Sequence, residues 1–138
     1  MRAGVGDAAG GEVQVRVRYP EVDRMGVAHH TVYLVWFEIG RTELMRARGL
    51  AYAGLEDEGI FLPVIEVSCV YRAPARYDEL LVVRTEVTES GPVRVAFEYR
   101  IEREADRILI ATGSTRHAAV DRTGRPRRLP PAVRERLR

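Results

Sequence analysis

Thr31-Val32-Tyr33-Leu34-Val35-Trp36-Phe37-Glu38-Ile39-Gly40-Arg41-Thr42-Glu43-Leu44-Met45-Arg46-Ala47-Arg48 is the stretch on which the fold turns. Strong helix formers fill its second half and Gly49 supplies a stop signal, so the spacing predicts a helix over residues 31–48. Val32, Tyr33, Leu34, Val35, Trp36, Phe37 and Ile39 run almost all the way round its first half, while the charges gather after Glu38. A helix apolar on nearly every side needs cover on most sides, and a sheet must curve around it.

The flanking segments supply that sheet. Residues 12–19 alternate strictly, placing Val13, Val15, Val17 and Tyr19 on one face of a first strand. After a short helical or irregular stretch at 51–59, the β-branched run 62–71 reads as a second strand and 80–88 as a third. In 93–102, Val93, Val95, Phe97, Tyr99 and Ile101 alternate with polar or small residues, giving one buried and one wet face. A hairpin at 103–106 leads into a fifth strand over 107–120, and Pro130-Pro131 starts a last short helix. The order of strand, long apolar helix and four closely connected strands is an α+β layout, with an antiparallel sheet packed on one helix.

With 138 residues, 46% of them hydrophobic, the chain supports one core and no second domain. Residues 1–10, rich in Gly and Ala, read as a flexible leader, and 11–138 as a single domain with a basic C-terminal tail. That tail, residues 122–138, holds seven arginines against Glu135, whereas the chain as a whole has a formal charge of only +2. A solvated terminal segment is the plainer reading, so nucleic acid is not an expected partner. Cys69 is the single cysteine, which excludes an intrachain disulfide, and its apolar strand context suits a packed thiol. Neither a membrane span nor a secretory signal is visible, and a soluble cytoplasmic protein is expected.

Among chemistry-bearing motifs, the serine elbow, zinc-binding and phosphate-loop patterns and the dinucleotide fingerprint are all missing. His29-His30 is a poor chelate without further ligands, so no metal and no cofactor are expected. What remains is Tyr19-Pro20-Glu21-Val22-Asp23-Arg24-Met25-Gly26-Val27-Ala28-His29-His30, directly before the apolar helix. The first turn of a helix carries unpaired N–H groups and positive dipole potential, which polarise a carbonyl and stabilise an oxyanion. A carboxylate opposite those donors can attack that carbonyl or activate water, and Asp23 is the candidate, with Gly26 allowing close approach of the backbone. Spacing alone favours reading Asp23 as a loop residue capping backbone N–H groups, and His30 as a helix-start or packing residue. Glu66 either reaches water at a sheet edge or is held for function. Glu38 and Arg41, spaced i, i+3, read as an ordinary ion pair.

Tyr19-x-Glu21-x-Asp23-x-x-Gly26-Val27, then His30-x-x-Tyr33-Leu34-x-Trp36-Phe37-Glu38-x-x-Arg41-Thr42-Glu43, resembles the 4-hydroxybenzoyl-CoA thioesterase family of the hotdog fold. Leu62-Pro63-Val64 and Tyr71-x-x-Pro74-Ala75-x-Tyr77-Asp78-x-Leu80 extend the similarity over residues 12–120. The resemblance implies a five-stranded antiparallel sheet wrapped around a long central helix, in a homo-oligomer, dimer or tetramer, with active sites at subunit interfaces. It implies hydrolysis of an acyl- or aroyl-CoA, with Asp23 as nucleophile or general base and the His30 N–H as oxyanion donor. Gly26, Val27, Tyr33, Phe37 and Glu66 are then expected around the acyl group. Some relatives place basic residues where this chain has Ser90-Gly91-Pro92, so Arg94, Arg116 or the tail arginines are expected to meet the CoA phosphates. The alternatives are a hotdog protein that binds acyl-CoA without cleaving it and a hotdog dehydratase or hydratase.

Overall fold

In the computed structural model, which describes residues 10–138, the chain runs β1 (Gly10–Arg16), α1 (Val32–Ala47), α2 (Tyr52–Asp57), β2 (Val64–Tyr71), β3 (Leu80–Ser90), β4 (Arg94–Arg103), β5 (Leu109–Ala118) and α3 (Pro131–Leu137). All strand pairs are antiparallel and the sheet order is β1-β3-β4-β5-β2, a five-stranded antiparallel sheet as the resemblance implies. Gly10 opens β1 instead of closing a leader, and residues 1–9 of the expected leader lie outside the described residues. No helix among the described residues is long and apolar enough to cross a membrane.

The alternation in β4 is realised as read: Val95, Phe97, Tyr99 and Ile101 are buried and their neighbours Glu98 and Arg100 are exposed. From α1 come Tyr33, Trp36, Phe37, Leu44 and Met45, all buried in the same cluster. Two glycines let helix and sheet approach closely. A side chain at Gly40 would strike Thr85 and Val83, and one at Gly113 would strike the Phe37 ring and the Ser68 carbonyl. Phe37 lies flat on Tyr99, ring centroids 4.4 Å apart.

Three expectations are corrected. Tyr19 is not on the inward face of β1: it starts a 3₁₀ turn with Pro20, which has no N–H for a ladder, and stands 75% exposed. The first half of α1 is covered on one side only, because the sheet reaches it from that side, leaving Leu34 and Val35 exposed. The basic tail is not a solvated segment: α3 buries Val133 and Leu137, and Leu129 precedes it into the core. Arg48 holds the end of α3 by donating to the carbonyls of Arg136, Leu137 and Arg138 at 3.3, 2.9 and 3.2 Å.

Inside the sheet, the Tyr99 hydroxyl meets Thr115 Oγ1 at 2.6 Å, Thr115 Oγ1 meets His117 Nε2 at 2.9 Å, and His117 Nδ1 meets the Leu62 carbonyl at 2.9 Å. The carbonyl fixes Nδ1 as the donor, and in the neutral imidazole Nε2 is then the acceptor toward which the hydroxyls donate in series. Burial, with the Arg41 charge adding to it, pulls the His117 pKa from 6.5 down to about 4. The unfolded chain therefore binds the extra proton first, and stability contributed by neutral His117 is lost as pH falls from 6.5 toward about 4. The expected loss approaches about 3 kcal/mol across that window. Urea midpoints at pH 7 and pH 4 read it directly, and the difference narrows in His117→Gln.

Candidate active site

Residues 21–29 fold back on themselves before α1. The His29 N–H donates to the Glu21 carbonyl (3.0 Å), Val22 bridges Ala28, and the Asp23 N–H donates to the Val27 carbonyl (3.0 Å). Between them the Gly26 N–H closes a turn on the Asp23 carbonyl at 2.9 Å, with Gly26 at φ +76°, the left-handed conformation that its lack of a Cβ allows. The loop is then pinned from the far side, since Ala28 N–H donates to Ala75 and Tyr77 N–H donates to Gly26.

Asp23 is exposed, and its two carboxylate oxygens differ in use. Oδ1 accepts the N–H groups of Met25 and Val27 at 2.8 and 3.3 Å. Oδ2 accepts no hydrogen bond among the described residues. The capping role and an available carboxylate oxygen thus coexist in one side chain.

The start of α1 is open in the same way. Thr31, at the N-cap, makes no side-chain cap bond, the first turn carries no acidic residue, and the His30 N–H meets no acceptor among the described residues. Donor groups and dipole potential are therefore available to a ligand. Tyr71, at the end of β2, donates its hydroxyl to the His30 carbonyl at 2.6 Å and sets its ring edge-on to Tyr33, centroids 4.8 Å apart. Burial first, and then the Cys69 thiol, push the Tyr71 pKa up to about 12, so the phenol stays a donor at neutral pH. The Tyr33 hydroxyl in turn accepts the Ala75 N–H at 3.3 Å. Sequence reasoning gave Tyr71 no role; its place in the Tyr71-x-x-Pro74 motif was the available signal.

Two grooves flank this loop. One, of about 330 Å³, is lined by Val27, His30, Tyr33, Tyr71 and Pro74. The other, of about 500 Å³, is lined by Tyr19, Pro20, Val22, Asp23, Arg24 and His29. Within one chain Asp23 and His30 therefore border adjacent grooves, Gly26 shapes the turn between them, and the exposed edge of β2 leaves the Tyr71 side uncovered.

Several expected residues lie elsewhere. Phe37 is fully buried against Tyr99 and borders neither groove. Glu66 pairs in register with Arg116, which alternates with the buried Thr115 and His117; both side chains point to the sheet face away from α1, and Glu66 does not face the acyl groove. Arg116 is shared between Glu66 and Glu89 at 3.7 Å each. Arg94 is exposed on the same outer face and carries no ion pair among the described residues. The expected Glu38–Arg41 ion pair is not formed: Glu38 points to solvent while Arg41 turns inward to the phenols of Tyr99 and Tyr52.

Comparison with known proteins bears on the family and the fold. The thioesterase superfamily model matches residues 25–110. The chain is 32% identical over 120 residues to the acyl-CoA thioester hydrolase YbgC of Escherichia coli O6:H1, covering 86% of this chain and 89% of that protein. Among solved structures, the hypothetical protein TT1821 of Thermus thermophilus superposes with a TM-score of 0.85 at 40% identity, covering 91% of this chain and 95% of its own. The DHNA-CoA thioesterase of Staphylococcus aureus superposes with a TM-score of 0.83 at 33% identity, covering 87% and 80%. The chain belongs to the thioesterase superfamily and, with it, to the thioester hydrolases.

Proposed function

We propose that this protein hydrolyses acyl-CoA thioesters at the groove beside His30, with the thioester carbonyl oxygen on the His30 N–H and Asp23 as the attacking or water-activating carboxylate. The observation that carries the reading is the pairing, on one short loop, of an unengaged carboxylate oxygen with an uncapped helix start. Attack forms a new C–O bond, the developing oxyanion is held by the helix-start amide, and the C–S bond breaks to release CoA as a thiolate. A thiolate leaves without a strong acid, and solvent supplies its proton. Val27 and Tyr33 line the groove in which the acyl group enters, and the His30 side chain lies at its mouth. Arg94, exposed and without an ion pair among the described residues, and the tail arginines, such as the exposed Arg125, are the ones that would meet a CoA phosphate.

The working unit is a homo-oligomer. β2 is an edge strand with Val64, Ile65, Val67, Val70 and Tyr71 between 44% and 50% exposed, and Leu34 and Val35 of α1 are exposed too. An apolar edge of this length is a pairing surface, and a second copy adding its own β2 there covers the groove at Tyr71.

The test is thiol release from a panel of aryl-, short-chain and long-chain CoA esters, run alongside a solution mass measurement. Released thiol without enoyl absorbance, from a species of at least twice the 15.6 kDa chain mass, is expected. Tight acyl-CoA binding with no thiol released would leave a carrier in place of an enzyme.

A further inference from the structure

Among the described residues, the peptide unit joining His30 to Thr31 is held by one side chain. The Val32 N–H donates to the His29 carbonyl at 3.1 Å and the Leu34 N–H to the Thr31 carbonyl at 3.2 Å, so the His30 carbonyl between them receives no backbone N–H among the described residues. The Thr31 N–H finds no acceptor among them either. What the His30 carbonyl does receive is the Tyr71 hydroxyl, at 2.6 Å.

That hydroxyl is delivered by packing. The Tyr71 ring stands edge-on to Tyr33, and Tyr33 stands edge-on to Trp36, centroids 5.0 Å apart, with Trp36 only 1% exposed. Three rings thus form a ladder rooted in the core, which leaves the phenol little freedom to point elsewhere. Backbone contacts close the frame. The Ala75 N–H donates to the Tyr33 hydroxyl at 3.3 Å and the Ala75 carbonyl accepts the Ala28 N–H at 2.8 Å, tying the segment after Tyr71 to the helix and to the Asp23 loop.

The consequence falls on the His30 N–H. A peptide unit is planar, with N–H and C=O opposed, so the Val32 bond to the His29 carbonyl turns the His30 N–H outward from the helix start. This unit and the next meet at the His30 Cα and are separated only by the two backbone dihedrals of that residue. With both units bonded, the His30 N–H has one direction; without the Tyr71 bond the second unit is released and the aim of the donor loosens with it. A preorganised donor favours an oxyanion because it does not reorient during reaction, so loosening it costs rate more than substrate binding.

Resting on the thioesterase reading above, we infer that Tyr71 is a positioning residue for the oxyanion donor: acting through the His30 carbonyl, its hydroxyl holds the His30 N–H on the thioester oxygen. Tyr71 itself touches no reacting atom.

The experiment is Tyr71→Phe, which removes the hydroxyl and keeps the ring against Tyr33. With the CoA ester that the wild type turns over fastest, kcat is expected to fall about 10- to 30-fold, less than the roughly 10²- to 10³-fold for a donor removed outright, while KM stays within about threefold. Two analogues of octanoyl-CoA separate aim from folding: the ketone in which a methylene replaces the thioester sulfur keeps the carbonyl oxygen, and octyl-CoA, a thioether, lacks it. The variant is expected to bind the ketone about 3- to 10-fold more weakly and the thioether as the wild type does. Its melting temperature is expected to stay within about 3 °C of wild type. A kcat within about twofold of wild type, equal weakening of both analogues, or a melting temperature lowered by more than about 10 °C would overturn the inference, the last by showing that the hydroxyl holds the fold instead. Absence of thiol release from the wild type sinks the thioesterase reading and leaves the analogues to decide. A preference for the ketone that Tyr71→Phe lowers then supports the inference, and no such preference, or one that survives unchanged, overturns it.

Discussion

Asp23→Asn is expected to cost about 10²- to 10⁴-fold in kcat for thioester hydrolysis, the contribution of a positioned base or nucleophile, while the melting temperature stays within a degree or two of wild type. Both halves of this expectation come from the different use of the two carboxylate oxygens. Oδ1 is structural, accepting from Met25 and Val27, and the asparagine carbonyl reproduces it. Oδ2 is available for chemistry, and an amide nitrogen there can neither attack an acyl carbon nor take a proton from water. Folding therefore survives and turnover does not. The readout is steady-state thiol release, with acyl-CoA binding followed separately. Turnover within a factor of three of wild type would remove Asp23 from the reaction and leave it only its turn-capping role.

The second large effect is on stability. Phe37→Ala is expected to destabilise the fold by about 3–5 kcal/mol, the range for emptying a fully buried aromatic site. For a chain of this size that is a fall of roughly 10–20 °C in melting temperature. The site cannot easily collapse, because the ring sits over Gly113, which has no side chain to move into the space, and on Tyr99, whose hydroxyl is tied to Thr115. Calorimetry on the variant reads the loss. A change below about 1 kcal/mol would mean that helix and sheet do not interlock at this point.

What the sequence made legible follows from periodicity. Period-two alternation placed Val95, Phe97, Tyr99 and Ile101 inside, and Gly49, at φ +74°, ended α1 where a left-handed residue was needed. The misreadings share a cause, which is that an apolar residue does not announce what covers it. Leu34 and Val35 read like Trp36, yet the sheet reaches only one side of the helix. The short helix after Pro130-Pro131 was read, but not that Val133 and Leu137, four apart among arginines, bury one face of it, because the surrounding positive charge favoured a solvated segment. Glu66 was readable only once its register with Arg116 assigned it a face. The loop of Asp23 was located from the sequence, but the distinct work of its two oxygens and the anchoring by Tyr71 depend on contacts between segments far apart in the chain.

The interlocking of Gly40 with β3 and of Gly113 with Phe37 closes the space beneath the helix, so a ligand is confined to its flank. There several of the side chains that line the groove, Val27, Arg72 and Pro74, are half-buried or exposed and contribute little to the core. Selection can therefore rework substrate range at those positions by single steps that cost little folding stability, and divergence in specificity among descendants of such a chain need not wait for compensating changes in the interior.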